Sequence, residues 1–343
     1  MSVVHSFDVT SLKQSQAGKC DPWIHASLVE PAERFMDRSG KQIRKTIVDL
    51  AYTMAGGLGS APSCLGDSIE WLHAGSLIID DIQDASPTRR DQPALHVEIG
   101  IPLALNAGNW MYFQSLDKLF DDSLDIRTQH RLLHLLIRTG LRCHQGQALD
   151  LGTNVAQVNP SSFRALAHQI SRLKTGSLVA MAATFGSVAA GSNKTLRSAL
   201  SRFGMNVGIA LQMRNDLDEL RSLTMAASRG LVLRTDDLRN ARITWPWAWA
   251  QQVCSTHDCE HLVFQLRAAK EDPEAMVVLA CQLLKHTCAL GETVIQDRVE
   301  MQFRLLGEHV LDTKAMSSMR LALQRIAHSN HSRLREVADV DLA

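Results

Sequence analysis

The sequence predicts an all-α protein, a single large helical bundle, and three observations support this fold class. Apolar residues recur at three- and four-residue spacing through six long segments. Only nine of the 343 residues are prolines, and most of these lie between the segments. Strand signals are weak, because aromatic residues make up 5% of the chain and no alternating apolar run stands out. The predicted helical segments are 103–120, 127–150, 161–190, 195–220, 258–271 and 273–310.

Two stretches interrupt this helical pattern. Residues 1–22 are mixed and polar, which indicates a loosely ordered N-terminal arm, and residues 23–343 are expected to form one domain. Residues 222–245 carry charges and lose the apolar spacing, so we expect the longest functional loop there. The start of the chain does not resemble a signal peptide. No apolar stretch approaches the roughly 20 residues that a membrane span requires.

Composition narrows the classes of partner. The 36 basic residues balance the 36 acidic residues, so no general attraction to nucleic acid is predicted, and any binding of phosphate must be local. The seven cysteines are scattered and form no CxxC pair. This pattern is typical of reduced thiols in a cytoplasmic protein rather than of disulfides or a zinc site.

An acidic cluster lies at the end of the apolar helical segment EWLHAGSLIIDDIQDASPTRR. Asp80 and Asp84 are four residues apart, so their carboxylates share one helix face, with Asp81 beside them. Like charges at the C-terminal end of a helix require a cation to compensate them. Oxygen ligands without nearby His or Cys favour Mg²⁺, and Arg89 and Arg90 supply forked donors suited to phosphate.

The motif DDIQDASPTRRD at residues 80–91 resembles the first aspartate-rich motif, DDxxDxSxxRRG, of the trans-type isoprenyl diphosphate synthases. The similarity continues through LNAGNWMYF (105–113), covers roughly residues 35–250, and looks closest to geranylgeranyl diphosphate synthases. It implies a helical bundle of the isoprenoid synthase type with a central active-site cavity, several Mg²⁺ ions per site and a homodimer. The implied reaction condenses isopentenyl diphosphate with an allylic diphosphate, such as farnesyl diphosphate.

The resemblance also implies roles for individual residues. Isopentenyl diphosphate would be bound by the GKQIR element and two later residues: Gly40, Lys41, Arg44, His73 and Arg90. The allylic diphosphate would be bound by Arg89, Lys174, Thr175, Gln212 and Arg242. Metal ligands would come from DDIQD and from LQMRNDLDE, the counterpart of a second aspartate-rich motif: Asp80, Asp81, Asp84, Asn215, Asp216 and Glu219. The GQxxD element would orient the metal ligands: Gln147 and Asp150. The main catalytic groups would be Asp80, Asp81 and Lys174.

The sequence departs from the family pattern in ways that leave two other functions open. Asn215 is a neutral amide where the family has Asp, and Arg242 stands where Lys is usual. A further family Lys has no clear counterpart, although Arg229 or Arg234 could replace it. A class I terpene cyclase on the same scaffold would tolerate the altered second motif, and so would a non-catalytic regulatory subunit of a heteromeric synthase. The complete isopentenyl diphosphate site argues against a cyclase, and the intact first motif argues against a regulatory subunit.

Product length is predicted from the residues that precede the first aspartate. In the family, bulky residues four and five positions before it stop growth at fifteen carbons. Here these positions are Ser76 and Gly75, both small, so a longer product is expected. Trp71 lies one turn deeper and is the candidate for a lower floor that limits the product to geranylgeranyl diphosphate, with ordinary core packing as the alternative.

Overall fold

The computed structural model describes residues 21–38, 40, 42–90, 92–229, 235–269, 272–310 and 312–325. Helices account for nearly all regular structure in these residues, which confirms the all-α fold class. The α-helices are α1 (Pro22–Ile24), α2 (Glu30–Asp37), α3 (Ile43–Met54), α4 (Ser63–Asp84), α5 (Leu95–Ile99), α6 (Ile101–Asp117), α7 (Ile126–Gly152), α8 (Phe163–Ser171), α9 (Ser177–Ala189), α10 (Lys194–Ala227), α11 (Asp236–Arg239), α12 (Trp245–Val253), α13 (Thr256–Ala268), α14 (Pro273–Gly307) and α15 (313–325). The remaining elements are π-helical turns at His25–Val29 and Arg172–Gly176, a 3-10 turn at Pro160–Ser162, and strands β1 (Thr88–Arg89) and β2 (Gln92–Pro93), which pair antiparallel.

The long helices begin at side chains that satisfy otherwise unpaired backbone N–H groups. Asp125 accepts from two N–H groups at the start of α7, and Asp272 does so at the start of α14. Asn193 and Ser255 cap α10 and α13 in the same way. A side-chain oxygen at this position stabilises a helix by about 1 kcal/mol, which explains why these helices start where they do.

Three boundary predictions require correction. The predicted helix 161–190 is interrupted by the π-helical turn Arg172–Gly176, which separates α8 from α9. The predicted loop 222–245 is wrong over much of its length: α10 continues to Ala227 and α11 occupies Asp236–Arg239, because Leu220, Leu223 and Ala226 continue the buried apolar face. Of the predicted arm, Pro22 already begins α1 behind the capping Asp21, and residues 1–20 lie outside the described residues.

The contacts group the chain into two compact units, one of residues 1–40 and 73–112 and one of residues 41–72 and 113–343. In the first unit, the second half of α4 packs against the first half of α6. A Cβ atom on Gly75 would lie 2.8 Å from the carbonyl oxygen of Gly108, and one on Gly108 would lie 3.2 Å from that of Gly75. Two glycines therefore allow the backbones of α4 and α6 to cross in direct contact.

The second unit is built around α9, whose residues from Ser177 to Val188 are all buried. A helix that is apolar on every side belongs in a core, and α9 packs against α3, α7 and α10. A Cβ atom on Gly186 would lie 2.2 Å from the carbonyl oxygen of Val48 in α3, so only glycine permits this approach. The helix α10 also packs against α14 and α12.

Candidate active site

The first acidic motif occupies the last turn of α4, in the first unit. Asp81 is 1% exposed, and its Oδ1 accepts a hydrogen bond of 2.8 Å from Nε of Arg89. Burial raises the pKa of the Asp81 carboxyl, although Arg89 opposes that shift. Asp80 and Asp84 are half-buried on the same turn. The predicted allylic-diphosphate residue Arg89 is thus paired with one of the predicted metal ligands.

The short hairpin after α4 carries the second arginine of the RR pair. Arg90 has a φ of 56°, in the left-handed region that non-glycine residues rarely adopt. Its Nη1 donates to the carbonyl oxygen of Arg38 at 2.9 Å. Gly40 lies directly beside this guanidinium, since a Cβ there would be 3.0 Å from three of its atoms. Two of the predicted isopentenyl diphosphate residues, Gly40 and Arg90, are therefore in contact.

The predicted chain-length positions differ in what surrounds them. Gly75 faces α6, where an added Cβ would lie 3.0 Å from that of Met111. Ser76 is half-buried, and its hydroxyl donates to the carbonyl oxygen of His73, a predicted substrate ligand, at 2.7 Å. In the second unit, Trp71 is half-buried and the ammonium group of Lys118 lies 4.6 Å from the centre of its ring. Gly75 thus serves helix packing, whereas Ser76 carries the freer side chain.

The second acidic motif lies on α10, in the second unit, and Asp216 is its most buried member at 5% exposed. Its Oδ1 accepts from Nε2 of Gln212 at 2.7 Å, and its Oδ2 accepts from the backbone N–H of Trp245 at 2.9 Å. The hydroxyl of Thr175 in turn donates to Oε1 of Gln212 at 2.6 Å. Burial, with the charge of Asp237 nearby, raises the pKa of Asp216 to about 8.

A third acid, which sequence reasoning did not single out, joins this cluster. Asp237 of α11 lines one small pocket together with Asp216 and Glu219, and its carboxyl group is hydrogen-bonded to that of Glu219. Burial and the Asp237 charge raise the pKa of Glu219 well above its usual range. Carboxyl groups held this closely retain a proton unless a cation replaces it.

Two other residues of the second acidic motif, Asn215 and Asp218, do not line this pocket. Asn215, the position where the family has Asp, is exposed. Asp218 is buried and lies 3.2 Å from Nη1 of Arg221. Arg221 also pairs with Glu292 of α14, whose carboxylate accepts two hydrogen bonds from Arg214. Asp218 thus belongs to an ion-pair network between α10 and α14.

The π-helical turn after α8 carries the predicted Lys174–Thr175 pair. Such turns break the helical ladder and are frequent at functional sites. Nζ of Lys174 lies 2.5 Å from Oδ2 of Asp150 on α7, and buried Arg242 donates from Nη1 to the backbone oxygen of Asp150 at 2.8 Å. Three predicted site residues, Lys174, Asp150 and Arg242, are therefore brought together.

The remaining predicted residues are only partly described. Arg44 and Gln147 are half-buried, and Arg229 is exposed just after α10. Lys41 and Arg234 lie outside the described residues.

Each unit has a buried carboxylate oxygen that fits a divalent cation. Oδ2 of Asp81 in the first unit and Oε1 of Glu219 in the second are buried, and neither accepts a hydrogen bond from the described part of the protein. A hard cation bound within each unit would satisfy the oxygen of that unit. No three His, Cys, Asp or Glu side chains of the described residues are already gathered as a metal site. Mg²⁺ typically takes one or two carboxylates and completes its shell with water and phosphate oxygens.

Comparisons with known proteins agree with the family resemblance found in the sequence. A family model described as polyprenyl synthetase matches residues 25–283. A geranylgeranyl pyrophosphate synthase of Rhodocybe pseudopiperita is 32% identical over 184 residues, which cover 52% of this chain and 50% of that protein. A short chain isoprenyl diphosphate synthase of Methanothermobacter thermautotrophicus is 25% identical over 302 residues, 88% of this chain and 89% of that one.

The fold is shared with solved structures as well. The crystal structure of a geranylgeranyl pyrophosphate synthetase from Pyrococcus horikoshii matches with a TM-score of 0.72 and 25% identity, covering 88% of this chain and 90% of that one. The chain spans about half the length of several curated relatives that it matches, the Rhodocybe pseudopiperita protein among them. Among the described residues, no helix is both long and apolar enough to cross a bilayer.

Proposed function

We propose that this chain, which belongs to the polyprenyl synthetase family, is a Mg²⁺-dependent prenyltransferase that joins an allylic diphosphate to isopentenyl diphosphate. One observation carries the proposal beyond family membership: Asp216, Glu219 and Asp237 line one small pocket, in which Asp216 is buried and the other two are half-buried. The two donors to Asp216, Gln212 and the Trp245 N–H, are both neutral. Bringing three carboxyl groups together at a largely buried site is unfavourable, and Mg²⁺ bound there during the reaction would offset that cost.

Bound Mg²⁺ would act as a Lewis acid that stabilises the pyrophosphate leaving group. Asp80, Asp84 and the buried Asp81 would hold Mg²⁺ in the first unit, and Asp216 and Glu219 would do so in the second. Lys174 is already placed as a fixed cation by Asp150, so it can stabilise negative charge on the departing diphosphate without reorganisation. Because Thr175, Gln212 and Asp216 form one hydrogen-bonded chain, contact with the substrate at Thr175 would also orient an acidic ligand.

The reaction then requires bond breaking before bond making. The allylic carbon–oxygen bond breaks, and its electron pair leaves on the pyrophosphate oxygen. The double bond of isopentenyl diphosphate attacks the resulting carbocation, and a proton is lost to the departed pyrophosphate. In the first unit, His73 and Arg90 would hold the second substrate about 3–3.5 Å from the reacting carbon. No nucleophilic side chain takes part.

We propose geranylgeranyl diphosphate as the product and farnesyl diphosphate as the starter. Ser76 leaves the position four residues before Asp80 small, and its hydroxyl folds back onto the helix backbone, so it offers no bulk against a tail of more than fifteen carbons. The ring of Trp71, covered by Lys118, supplies a rigid candidate for the floor. Several curated relatives are named geranylgeranyl synthases, and one makes geranylfarnesyl diphosphate by its name, so neighbouring lengths are the competing outcomes.

A homodimer in the cytoplasm is also proposed. The exposed face of α7 carries Ile126, Ile137 and Leu141, and Phe113 and Phe120 of the same unit are more than 60% exposed. Exposed apolar residues along one helix face are typical of protein interfaces, and most homo-oligomers are symmetric dimers. The six cysteines of the described residues are free thiols, as a reducing compartment requires.

One assay tests this function against its alternatives. The purified protein is incubated with Mg²⁺ and each allylic diphosphate, with and without isopentenyl diphosphate, and the products are separated by chain length. The proposal predicts elongated diphosphates only when both substrates are present, with twenty carbons as the main product. Hydrocarbon or alcohol formed without isopentenyl diphosphate would identify a cyclase. Activity that appears only after mixing with another synthase would identify a regulatory subunit.

A further inference from the structure

A buried arginine outside every sequence motif lies beside the proposed isopentenyl diphosphate site. Arg38 follows the last residue of α2 and is 6% exposed. Its guanidinium lies 5.0 Å from the ring centre of Phe35. Its Nη1 donates to the carbonyl oxygen of Pro93 at 2.7 Å, and its Nη2 makes an ion pair with Glu98. Burial of a charged group is unfavourable unless the group is paired, so a buried arginine at this position indicates a specific structural or functional role.

These contacts join three elements of the first unit at one point. Pro93 belongs to β2 of the hairpin, Glu98 belongs to α5, and Phe35 lies on α2. A planar guanidinium can hold a carbonyl, a carboxylate and a ring simultaneously, which Lys cannot do. Arg38 therefore fixes the hairpin strand β2 against the end of α2.

The backbone of Arg38 also contacts the site, through its carbonyl group. The chain leaves helical geometry at this residue, with ψ at 132°, and the carbonyl oxygen accepts the hydrogen bond from Nη1 of Arg90. Arg90 itself has a left-handed backbone, a conformation that persists only where the surroundings enforce it. The hairpin that Arg38 pins is the one that carries Arg90, since Arg89 pairs with Gln92 across it.

We infer that Arg38 is a positioning residue for the isopentenyl diphosphate site and acts through Arg90. Its side chain fixes the hairpin from which Arg90 extends, and its carbonyl group fixes the guanidinium of Arg90 against Gly40. The inference rests on the proposed function for the identity of the ligand. Its geometric part concerns only how a diphosphate-binding arginine is held in place.

The test compares Arg38→Met with a control on the same helix. Arg38→Met keeps apolar contact with Phe35 and removes every donor. Arg34→Gln is the control, because Arg34 reaches the same carboxylate of Glu98 at 3.7 Å but is 54% exposed in its side chain and makes no contact with the hairpin among those described. We expect Arg38→Met to raise KM for isopentenyl diphosphate by roughly 10- to 100-fold, as misplacement of a binding group does. KM for the allylic substrate and the values for Arg34→Gln should stay within about twofold of wild type.

A double-mutant cycle separates positioning from a merely structural role. If Arg38 acts through Arg90, then Arg38→Met should add less than about twofold to the loss already caused by Arg90→Ala, because effects within one interacting group are not additive. Fully multiplicative losses would overturn the inference, and so would a fall of kcat with the KM values of both substrates unchanged. Should Arg38→Met fail to fold by circular dichroism, Glu98→Gln, which weakens the same anchor, provides the same comparison.

Binding of inorganic pyrophosphate, measured by calorimetry in the presence of EDTA, gives a readout that does not depend on turnover. Arg38→Met should weaken this binding about tenfold, whereas Arg34→Gln should not. Unchanged binding in Arg38→Met would refute the inference while leaving the proposed function intact. A wild-type protein that binds pyrophosphate but makes no prenyl product would refute the proposed function and leave the inference about Arg38 standing.

Discussion

Replacing Asp216 by Asn should make the metal-free protein more stable and the enzyme nearly inactive. The native state holds the Asp216 proton up to a pKa of about 8, whereas the ordinary value is 3.8. When the pKa of an acidic group is raised on folding, the free energy of unfolding falls as the pH rises, because the unfolded chain releases the proton at a lower pH than the folded protein does. The loss is about 1.4 kcal/mol per pH unit. Between pH 3.8 and pH 7 it amounts to about 4 kcal/mol, and above about pH 8 it levels off.

Asparagine removes this cost because it never ionises. The Asn oxygen can still accept from the N–H of Trp245. Its amide group would require Gln212 to turn over, which the hydroxyl of Thr175 can accommodate by accepting instead of donating. Allowing about 1 kcal/mol for imperfect hydrogen bonding, we expect Asp216→Asn to be more stable by about 3 kcal/mol at pH 7, and by less as the pH falls toward 4.

The measurement is urea denaturation in EDTA at a series of pH values, followed by the fluorescence of the six tryptophans. Asp218→Asn is the matched control, since Asp218 is also buried on α10 but pairs with Arg221. Because Arg221 keeps its ion pair with Glu292, Asp218→Asn should destabilise the protein by about 1–3 kcal/mol and leave activity within about twofold of wild type. The reasoning is refuted if Asp216→Asn is no more stable than wild type at pH 7, or if the difference does not grow between pH 4 and pH 8.

Three further predictions concern the other site residues. Gly75→Phe should destabilise the protein by about 3 kcal/mol or more, because the Phe side chain would collide with the α6 backbone. Ser76→Phe should fold normally and shorten the product to fifteen carbons. Thermal melting and product chromatography distinguish the two variants, and a well-folded Gly75→Phe would contradict the described packing of α4 against α6. Lys118→Met should remove a cation–π contact worth about 1 kcal/mol and allow Trp71 to move, so the product distribution should shift toward longer chains. Unchanged product lengths would show that Trp71 does not limit the length of the product. Lys174→Gln should lower kcat/KM for the allylic substrate about 100-fold in steady-state assays, with little change in KM for isopentenyl diphosphate, and a loss under tenfold would exclude Lys174 as the leaving-group cation.

The sequence predicted the helices well because their signal is local. Apolar spacing in α6, α7 and α14 reports which face is buried, and the structure places their ends within about three residues of the predicted ones. The π-helical turn at Arg172–Gly176 was missed because its residues keep the apolar spacing while the hydrogen-bond ladder changes. The end of α10 was missed because the charges of the stretch 222–245 begin only at Arg229, whereas Leu220, Leu223 and Ala226 still continue the buried face.

The site was predictable where a motif lies on one element and not where it depends on contacts between elements. Asp80, Asp81 and Asp84 share one helical turn, so their spacing alone brings them together. Asp237 joins Glu219 only because α11 packs beside α10, and no spacing in the sequence indicates this.

The same limit applies to other partners of the site. The N–H of Trp245 reaches Asp216 from the start of α12, and the carbonyl of Arg38 reaches Arg90 across 52 residues. Pairings of this kind arise from tertiary packing, which no sequence spacing encodes.

The central claim is that carboxylates of α4 and α10 hold Mg²⁺ for departure of pyrophosphate. The most direct test is the initial rate of prenyl transfer as a function of Mg²⁺ concentration for wild type, Asp80→Asn and Asp67→Asn. Asp67 lies on the same helix but pairs with Lys45 at 3.1 Å. We predict no turnover in EDTA, full recovery with Mg²⁺, a rate at least about 100-fold lower for Asp80→Asn, and a normal rate for Asp67→Asn. Turnover that persists in EDTA, or an Asp80→Asn enzyme as active as wild type, would contradict the claim.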